Sequence, residues 1–190
     1  VIIGAGVSGT QAAVVAHGMG ARVSILDKNI NRLRELDHRF SGTVQTVYST
    51  DLALEEAVIH ADLVIGAVLI PGKKAPKLIS NALVAKMKPG SVLVDIAIDQ
   101  GGCFEDSHPT THAEPTFKVH NSIFYCVANM PGAFPRTSTF ALTNATLPFL
   151  LNLADLGWKQ ACMNDPALLA GLSTHGGKLF SEQVGTSLDL

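Results

Sequence analysis

The chain has 190 residues, of which 47% are hydrophobic and 16% are charged, and its formal net charge is −2. This composition predicts one large globular domain, or one domain with an appendage, and excludes a disordered chain. Because there is no basic excess, we expect no nucleic-acid partner. The longest apolar stretches have the length of strands, so we expect neither a membrane-spanning segment nor a secretory signal.

The three cysteines, Cys103, Cys126 and Cys162, are widely spaced. An odd number at this spacing does not indicate a disulfide framework, and no CxxC pair is present for zinc. Free thiols are typical of the reducing cytoplasm, where we therefore place the protein. Cys103, His108 and His112 are close in sequence, but their spacing matches no metal-ligand pattern, so we predict no metal site.

Apolar strand-like runs alternate with helix-like segments about every 25 residues from Val1 to Asn129. The predicted strands are residues 1–3, 21–27, 42–49, 62–68, 91–98 and 123–129. The predicted helices are residues 8–18, 29–40, 52–61 and, after its Pro76, most of 73–87. This alternation predicts an α/β fold with a doubly wound parallel sheet of Rossmann type.

The pattern changes in the remaining parts of the chain. Residues 101–121 contain two prolines and many polar side chains, which predict a long loop. Two apolar helices are predicted further on, at 140–157 with a kink at Pro148 and at 165–172. We therefore predict two domains, a sheet domain and a C-terminal helical segment that packs on something other than the sheet: residues 1–137 and residues 138–190.

A glycine cluster directly follows the first predicted strand and begins the first helix. Gly4, Gly6 and Gly9 form the pattern GxGxxG. The first glycine permits a tight turn, the second lets the backbone approach a pyrophosphate, and the third lets the helix pack close to the strand. With Val7 and Ser8, they place the N–H groups of a helix N-terminus where they can bind a diphosphate. This motif predicts a dinucleotide site.

An acidic residue stands at the end of the second strand. Asp27 lies 18 residues after Gly9 (27 − 9 = 18). A carboxylate there can accept hydrogen bonds from ribose hydroxyls and repels a 2′-phosphate, which favours NAD over NADP. The alternative is that Asp27 only caps the following helix. Lys28 and Arg32 are close enough to meet a 2′-phosphate, so NADP is disfavoured and not excluded.

Further candidates follow the carboxyl ends of the other strands, where ligands lie in a doubly wound sheet. An asparagine can hydrogen-bond a carboxamide, and a methionine can pack against a flat ring. For each of these residues, a purely structural role at the strand end or in the core is the alternative. The candidates are Ser49, Val68, Asn129 and Met130.

Two carboxylates lie in the segment VDIAIDQGG, residues 94–102. Asp95 falls inside an apolar run, so it needs a partner or a bend in the chain. Asp99 falls where the strand should end, beside Gly101 and Gly102, and an acid at that edge can orient a substrate amine or activate water. The alternative is an aspartate that only forms a turn.

Residues 94–117 and 124–149 closely resemble the bacterial L-alanine dehydrogenases, and the resemblance extends from the glycine loop to Gly177. The related transhydrogenase α-subunits share the glycine loop but differ over residues 94–102. The resemblance implies reversible, NAD-dependent oxidative deamination of L-alanine to pyruvate and ammonium. It also implies a homo-oligomer, usually a hexamer, and no membrane partner.

The resemblance also implies roles for individual residues. Asp99 would be catalytic and would position the substrate amine and the attacking water. The residues expected around the cofactor are Gly4, Gly6, Val7, Ser8, Gly9, Asp27, Arg32, Ser49, Val68, Leu69, Ile96, Asp99, Asn129 and Met130. Two other functions stay open, an NAD(H)-binding component of a transhydrogenase and a non-catalytic nucleotide-binding module.

Members of this family carry a substrate lobe before the glycine loop, with a catalytic histidine and an arginine and a lysine that hold the substrate carboxylate. None of the seven histidines here matches that histidine. We therefore expect this chain to be the cofactor-binding and C-terminal part of such an enzyme, and to be inactive by itself. Residues 138–190 would belong with the substrate lobe.

Overall fold

A computed structural model describes residues 1–69 and 75–188. The beginning of the predicted helix 73–87, residues 73 and 74, lies outside the described residues. The chain forms two compact units, Val1–Asn129 and Met130–Leu190.

The first unit is built on a seven-stranded sheet. Its strands are β1 (Ile2–Ile3), β2 (Ser24–Asp27), β3 (Gln45–Tyr48), β4 (Leu63–Gly66), β5 (Val92–Asp95), β6 (Thr116–Val119) and β7 (Ser122–Tyr125). The strand order is β3-β2-β1-β4-β5-β7-β6, and every pair is parallel except β6 with β7. The order reverses between β1 and β4, which confirms the predicted doubly wound sheet.

Helices cover both faces of this sheet. They are α1 (Val7–Gly18), α2 (Ile30–Phe40), α3 (Asp51–Ile59) and α4 (Asn81–Val84). Successive strand residues point to opposite faces. Accordingly, Ile2 packs in one core with Ala13 of α1 and Leu36 of α2. Ile3 packs in the other core with Val58 of α3 and Leu83 of α4.

The predicted helix after Pro76 is mostly absent, because only Asn81–Val84 is helical among its described residues, 75–87. The chain before α4 is extended, and Ile79 forms a parallel bridge with Phe104. Its backbone donors pair with the distant segment that follows β5 instead of with a helix. The N–H of Ala75 donates to the carbonyl of Gln100 at 2.9 Å. Local pattern cannot reveal a long-range pairing of this kind.

The predicted loop 101–121 contains an unpredicted strand, β6, which pairs antiparallel with β7. The two strands are joined by a tight turn at His120, whose φ is +51°. The predicted strand 91–98 is also shorter than expected. It ends at Asp95, and a 3-10 helix follows at Ile96–Gln100.

The second unit is mostly helical, as the sequence predicts. It contains a 3-10 helix at Met130–Ala133, α5 (Pro135–Asn164), α6 (Pro166–Gly171), a hairpin of β8 (Thr174–His175) and β9 (Lys178–Leu179), and α7 (Glu182–Ser187). Helical dihedral angles are interrupted inside α5 at Gly157 and not at the predicted Pro148. Across the described residues, no helix combines the length and apolarity needed to cross a membrane.

Candidate dinucleotide-binding site

The fold itself requires two of the three loop glycines. Gly4 has φ +100°, and a Cβ there would lie 2.7 Å from the carbonyl oxygen of Ala67. A Cβ on Gly9 would overlap the carbonyl oxygen of Gly4, because α1 packs directly against the loop. These contacts match the turn and close-packing roles that the sequence predicts for them.

Gly6 differs from both of its neighbours in the motif. It has φ −68°, which any residue adopts, and a Cβ added there would meet no protein atom within 4 Å. The space beside Gly6 lies at the N-terminus of α1, where first-turn N–H groups lack helical acceptors. The Val7 side chain is 81% exposed there, and Ser8 is exposed too. This arrangement fits the diphosphate of a dinucleotide.

Asp27, at the end of β2, is bonded to the glycine loop. Its Oδ2 accepts a hydrogen bond from the N–H of Ala5 at 2.7 Å, and its Oδ1 accepts one from the N–H of Asn29 at 2.7 Å. The residue that caps α2 is Asn29, whose side chain accepts from the N–H groups of Asn31 and Arg32. The capping alternative for Asp27 is therefore wrong. The carboxylate lies beside the loop, where it can also face a ribose.

Arg32 of α2 contacts the other side of the same loop. Its Nε donates to the carbonyl of Ala5 at 2.8 Å, and its Nη2 donates to Oγ1 of Thr10 at 2.9 Å. Its Nη1 pairs with the Glu35 carboxylate at 2.7 Å. All three guanidinium nitrogens are thus engaged within the protein. Thr10, which the sequence reasoning did not single out, is buried and completes this contact.

The residues that follow β3 and β4 lie at the same sheet edge as the glycine loop. The N–H of Ser49 donates to the carbonyl of Asp27 at 3.0 Å. Val68 lies beside the loop, with its Cγ2 3.1 Å from the position a Cβ of Gly4 would take. Leu69 follows Val68 and is 62% exposed. The structure thus places Ser49 and Val68 beside the motif, with Leu69 next to Val68 in the chain.

The residues after β5 lie on the neighbouring strand of that edge, since Gly66 of β4 is paired with Asp95 of β5. Ile96 begins the 3-10 helix and is half-buried, whereas Asp99, within the same helix, is exposed. Across residues 1–69 and 75–188, no hydrogen bond or ion pair engages the Asp99 side chain. Within those residues, its carboxylate has no protein partner.

Asp95 differs from Asp99 in both its exposure and its hydrogen bonding. It is completely buried, and its carboxylate accepts hydrogen bonds from the chain that follows it. Burial raises the pKa of the adjacent Cys103 thiol to about 12, and the negative charge of Asp95 adds to the shift. Burial also raises the pKa of Cys126 to about 11, although its hydrogen bond with Ser107 opposes the shift.

The last two predicted cofactor residues fall on either side of the unit boundary. Asn129 ends the first unit with φ +55°, and its side chain is exposed. Its carbonyl accepts a hydrogen bond from Nε2 of His112 at 3.1 Å. Met130 begins the 3-10 helix of the second unit and is partly buried.

Within the described residues, no group of three or more metal-ligating side chains can hold a metal.

Taken together, the sheet reversal, the glycine loop and the acidic strand end define a nucleotide-binding domain of Rossmann type. The profile of the family described as "Alanine dehydrogenase/PNT, C-terminal domain" matches residues 1–182. The chain belongs to this family.

Individual relatives agree with this assignment. The chain is 69% identical over 190 residues to the alanine dehydrogenase of Mycolicibacterium smegmatis, and covers 51% of it. It is 64% identical over 188 residues to that of Mycobacterium tuberculosis, again covering 51%. The chain therefore spans about half the length of the curated relatives it matches.

Among solved structures, the chain is also more similar to an alanine dehydrogenase than to a transhydrogenase. An L-alanine dehydrogenase is similar with a TM-score of 0.87 and 47% identity, over 99% of this chain and 52% of that one. A transhydrogenase from Sinorhizobium meliloti is similar with a TM-score of 0.73 and 26% identity, over 95% of this chain and 48% of that one.

Proposed function

We propose that this chain is the cofactor-binding part of an NAD-dependent alanine dehydrogenase, which converts L-alanine and water to pyruvate and ammonium, reversibly. The observation that carries the proposal is the exposed Asp99 carboxylate, which has no bonding partner among the described residues. It lies in the 3-10 helix that follows β5, the strand paired with β4. When bound, NAD supplies the acceptor for the hydride that leaves the α-carbon of alanine.

The residues around the loop support NAD as the cofactor. The open space at Gly6 and the N-terminus of α1 would take the diphosphate. Asp27 would accept hydrogen bonds from the adenosine ribose, and its charge would repel a 2′-phosphate. Arg32, one of the two cations that closely follow Asp27 in sequence, is already bonded to Ala5, Thr10 and Glu35.

Asp99 would act on the substrate. A carboxylate at this edge can accept a hydrogen bond from the amine of alanine and so orient its α-carbon. Once the imine has formed, the same carboxylate can hold a water molecule against the imine carbon and accept a proton from it. Asn129 and Met130 would complete the surroundings of the cofactor, as the family resemblance implies.

The alternatives are a transhydrogenase component and a non-catalytic module. The chain is 69% identical to an alanine dehydrogenase and 26% identical to a transhydrogenase, which favours alanine dehydrogenase activity over the transhydrogenase alternative. A non-catalytic module has no need of a carboxylate at the sheet edge where the cofactor would lie.

We further propose a cytoplasmic homo-oligomer, a hexamer in the complete enzyme. Apolar side chains of α5 that are half exposed or more support the oligomer, because a helix with such a surface is normally covered by other protein. They are Phe140, Leu142, Leu147, Leu150 and Leu151. The free thiols of all three cysteines support the location. Sedimentation of the purified complete enzyme tests the oligomeric state. A complete enzyme that is monomeric at all concentrations would contradict the proposed hexamer.

Activity is tested in a hybrid enzyme, in which this chain replaces the matching 51% of the Mycolicibacterium smegmatis alanine dehydrogenase. We expect NADH formation that requires L-alanine. Asp99→Asn in the hybrid should lower kcat by about 100-fold or more, with NADH affinity nearly unchanged. A hybrid that folds but forms no NADH from alanine would contradict the proposed function.

A further inference from the structure

We propose that Asp95 is a positioning residue, whose buried carboxylate sets the conformation of the turn that carries Asp99. This inference rests on the proposed function, since it takes Asp99 as the residue that acts on the substrate. Asp95 ends β5 and is 0% exposed. Asp99 lies four residues further on, in the 3-10 helix.

Within residues 1–69 and 75–188, every hydrogen bond of the Asp95 carboxylate goes to the segment that follows it. Oδ1 accepts from the N–H of Ala97 at 3.1 Å, which caps the 3-10 helix. Oδ2 accepts from the N–H of Cys103 at 2.7 Å and of Phe104 at 3.3 Å, and from Oγ of Ser107 at 2.5 Å. One carboxylate therefore ties both ends of the chain that contains Asp99.

Two glycines allow the chain to fold back this closely. Gly102 has φ +77°, and a Cβ there would lie 2.7 Å from Oδ2 of Asp95 and 2.7 Å from Cβ of Ser107. Gly66, the neighbour of Asp95 in the sheet, would carry a Cβ 2.9 Å from the ring of Phe104. The returning chain thus lies directly over the ends of β4 and β5.

A second tie comes from the extended chain before α4. Nζ of Lys77 donates to the carbonyl of Gly101 at 2.6 Å and to that of Phe104 at 2.8 Å. Lys77 therefore binds the outer side of the same turn whose inner side is bound by Asp95. The ammonium and the carboxylate fix the turn between them, while the Asp99 side chain projects into solvent.

A role in stability alone does not account for Asp95. A buried carboxylate is costly to desolvate, and apolar residues of similar volume are often at least as stabilising. Its neighbours on β5 are apolar, so an apolar residue would suit the strand. What an apolar residue cannot do is accept four hydrogen bonds and so define one conformation of the following turn.

The test compares two substitutions in the turn with a matched control. Asp95→Asn keeps the shape but places an amide where an acceptor is needed. Ser107→Ala removes the hydroxyl that donates to Asp95 and accepts from the Cys126 thiol at 3.8 Å. The control is Ser122→Ala, which removes the buried Ser91–Ser122 hydrogen bond (Oγ to Oγ, 2.8 Å) at the opposite end of β5 and β7.

Three quantities are measured. Amide hydrogen exchange of Ala97 and Cys103 in the 190-residue chain reports the order of the turn without any substrate. In the hybrid enzyme, kcat and the KM for alanine are measured, and the NADH Kd reports the glycine loop. Asp99→Asn is assayed in parallel, because its effect tests the proposed function by itself.

We expect Asp95→Asn to abolish amide protection in the turn and to lower kcat by about 100-fold, the size of effect that a 1 Å misplacement produces. Ser107→Ala should lower both the amide protection of the turn and kcat, but by less than Asp95→Asn does. The NADH Kd should stay within about threefold, and Ser122→Ala should lower Tm without lowering kcat.

Full kcat in Asp95→Asn or Ser107→Ala, with the turn amides unprotected, would overturn the proposal. An equal loss of kcat in Ser122→Ala would do so too, because it would indicate general destabilisation. If Asp95→Asn does not fold, the proposal is decided by comparing the kcat and the turn amide protection of Ser107→Ala with those of Ser122→Ala. Unchanged activity in Asp99→Asn would instead contradict the proposed function.

Discussion

The carboxylate of Asp27 and the guanidinium of Arg32 hold opposite ends of one residue, Ala5. Asp27 Oδ2 accepts from its N–H at 2.7 Å, and Arg32 Nε donates to its carbonyl at 2.8 Å. Ala5 lies between the first two glycines of the loop and is completely buried. The loop conformation is therefore defined by side chains from β2 and α2, in addition to its own glycines.

Replacing Asp27 by Ser should change both the choice and the strength of cofactor binding. Removing the charge relieves repulsion of a 2′-phosphate, and removing the acceptor loosens Ala5. We expect NADH affinity to fall by about tenfold or more and the preference over NADPH to shrink. Asp37→Ser removes the same charge from an exposed position on α2 and serves as the control. An unchanged preference would show that another group sets it.

Arg32→Met should weaken the loop rather than change the cofactor preference. It removes the charged hydrogen bonds to Ala5 and Thr10, which together stabilise the fold by about 2 kcal/mol. We expect a lower midpoint of denaturant unfolding and weaker binding of NADH and NADPH alike. Glu35→Gln breaks only the exposed ion pair of Arg32 and should cost less than about 0.5 kcal/mol. A selective loss of NADPH binding would contradict this role.

Alanine at Gly6 and alanine at Gly9 should have opposite consequences. At Gly6 the added Cβ meets no protein atom, so the fold should lose less than about 1 kcal/mol, while the approach of a diphosphate is blocked. At Gly9 the Cβ would overlap the Gly4 carbonyl, which should cost about 3 kcal/mol or more. Thermal unfolding and NADH titration of both variants separate the two effects. Tight NADH binding by Gly6→Ala would argue against the loop as the diphosphate site.

The buried thiols predict a loss of stability at alkaline pH. The pKa of Cys103 is raised from its ordinary 9.0 to about 12, so above pH 9 the unfolded chain releases a proton that the folded chain retains. This contribution is fully present below pH 9 and is lost as the pH rises toward 12. Tm should therefore fall between pH 9 and 11, less steeply in Cys103→Ala than in the unaltered chain. If Tm fell equally steeply with pH in Cys103→Ala and in the unaltered chain, the raised pKa of Cys103 would be contradicted.

The doubly wound parallel sheet and the glycine loop could be predicted because their signals are local. A β-branched run, a GxGxxG pattern and an acid 18 residues later all stand within the first 27 positions. The apolar strands of a parallel sheet are likewise continuous in sequence. The family resemblance rested on segments that are continuous in the same way.

The surroundings of Asp99 could not be predicted in the same detail. The turn is held by Asp95, Lys77 and Ser107, and the donors and acceptors come from segments up to 27 residues apart. The apolar setting of Asp95 did indicate that it needed a partner or a bend, and the structure provides both. Which groups would supply the partner depends on the fold-back over Gly66, which no local pattern encodes.

The central claim, that this domain binds NAD(H) at the glycine loop with Asp27 selecting against a 2′-phosphate, is tested most directly by titrating the 190-residue chain with NADH and, in parallel, NADPH. Fluorescence of the reduced nicotinamide reports both. We expect NADH to bind at least about tenfold more tightly than NADPH. Equal or tighter binding of NADPH, or no binding of either by a chain that is folded by circular dichroism, would contradict the claim.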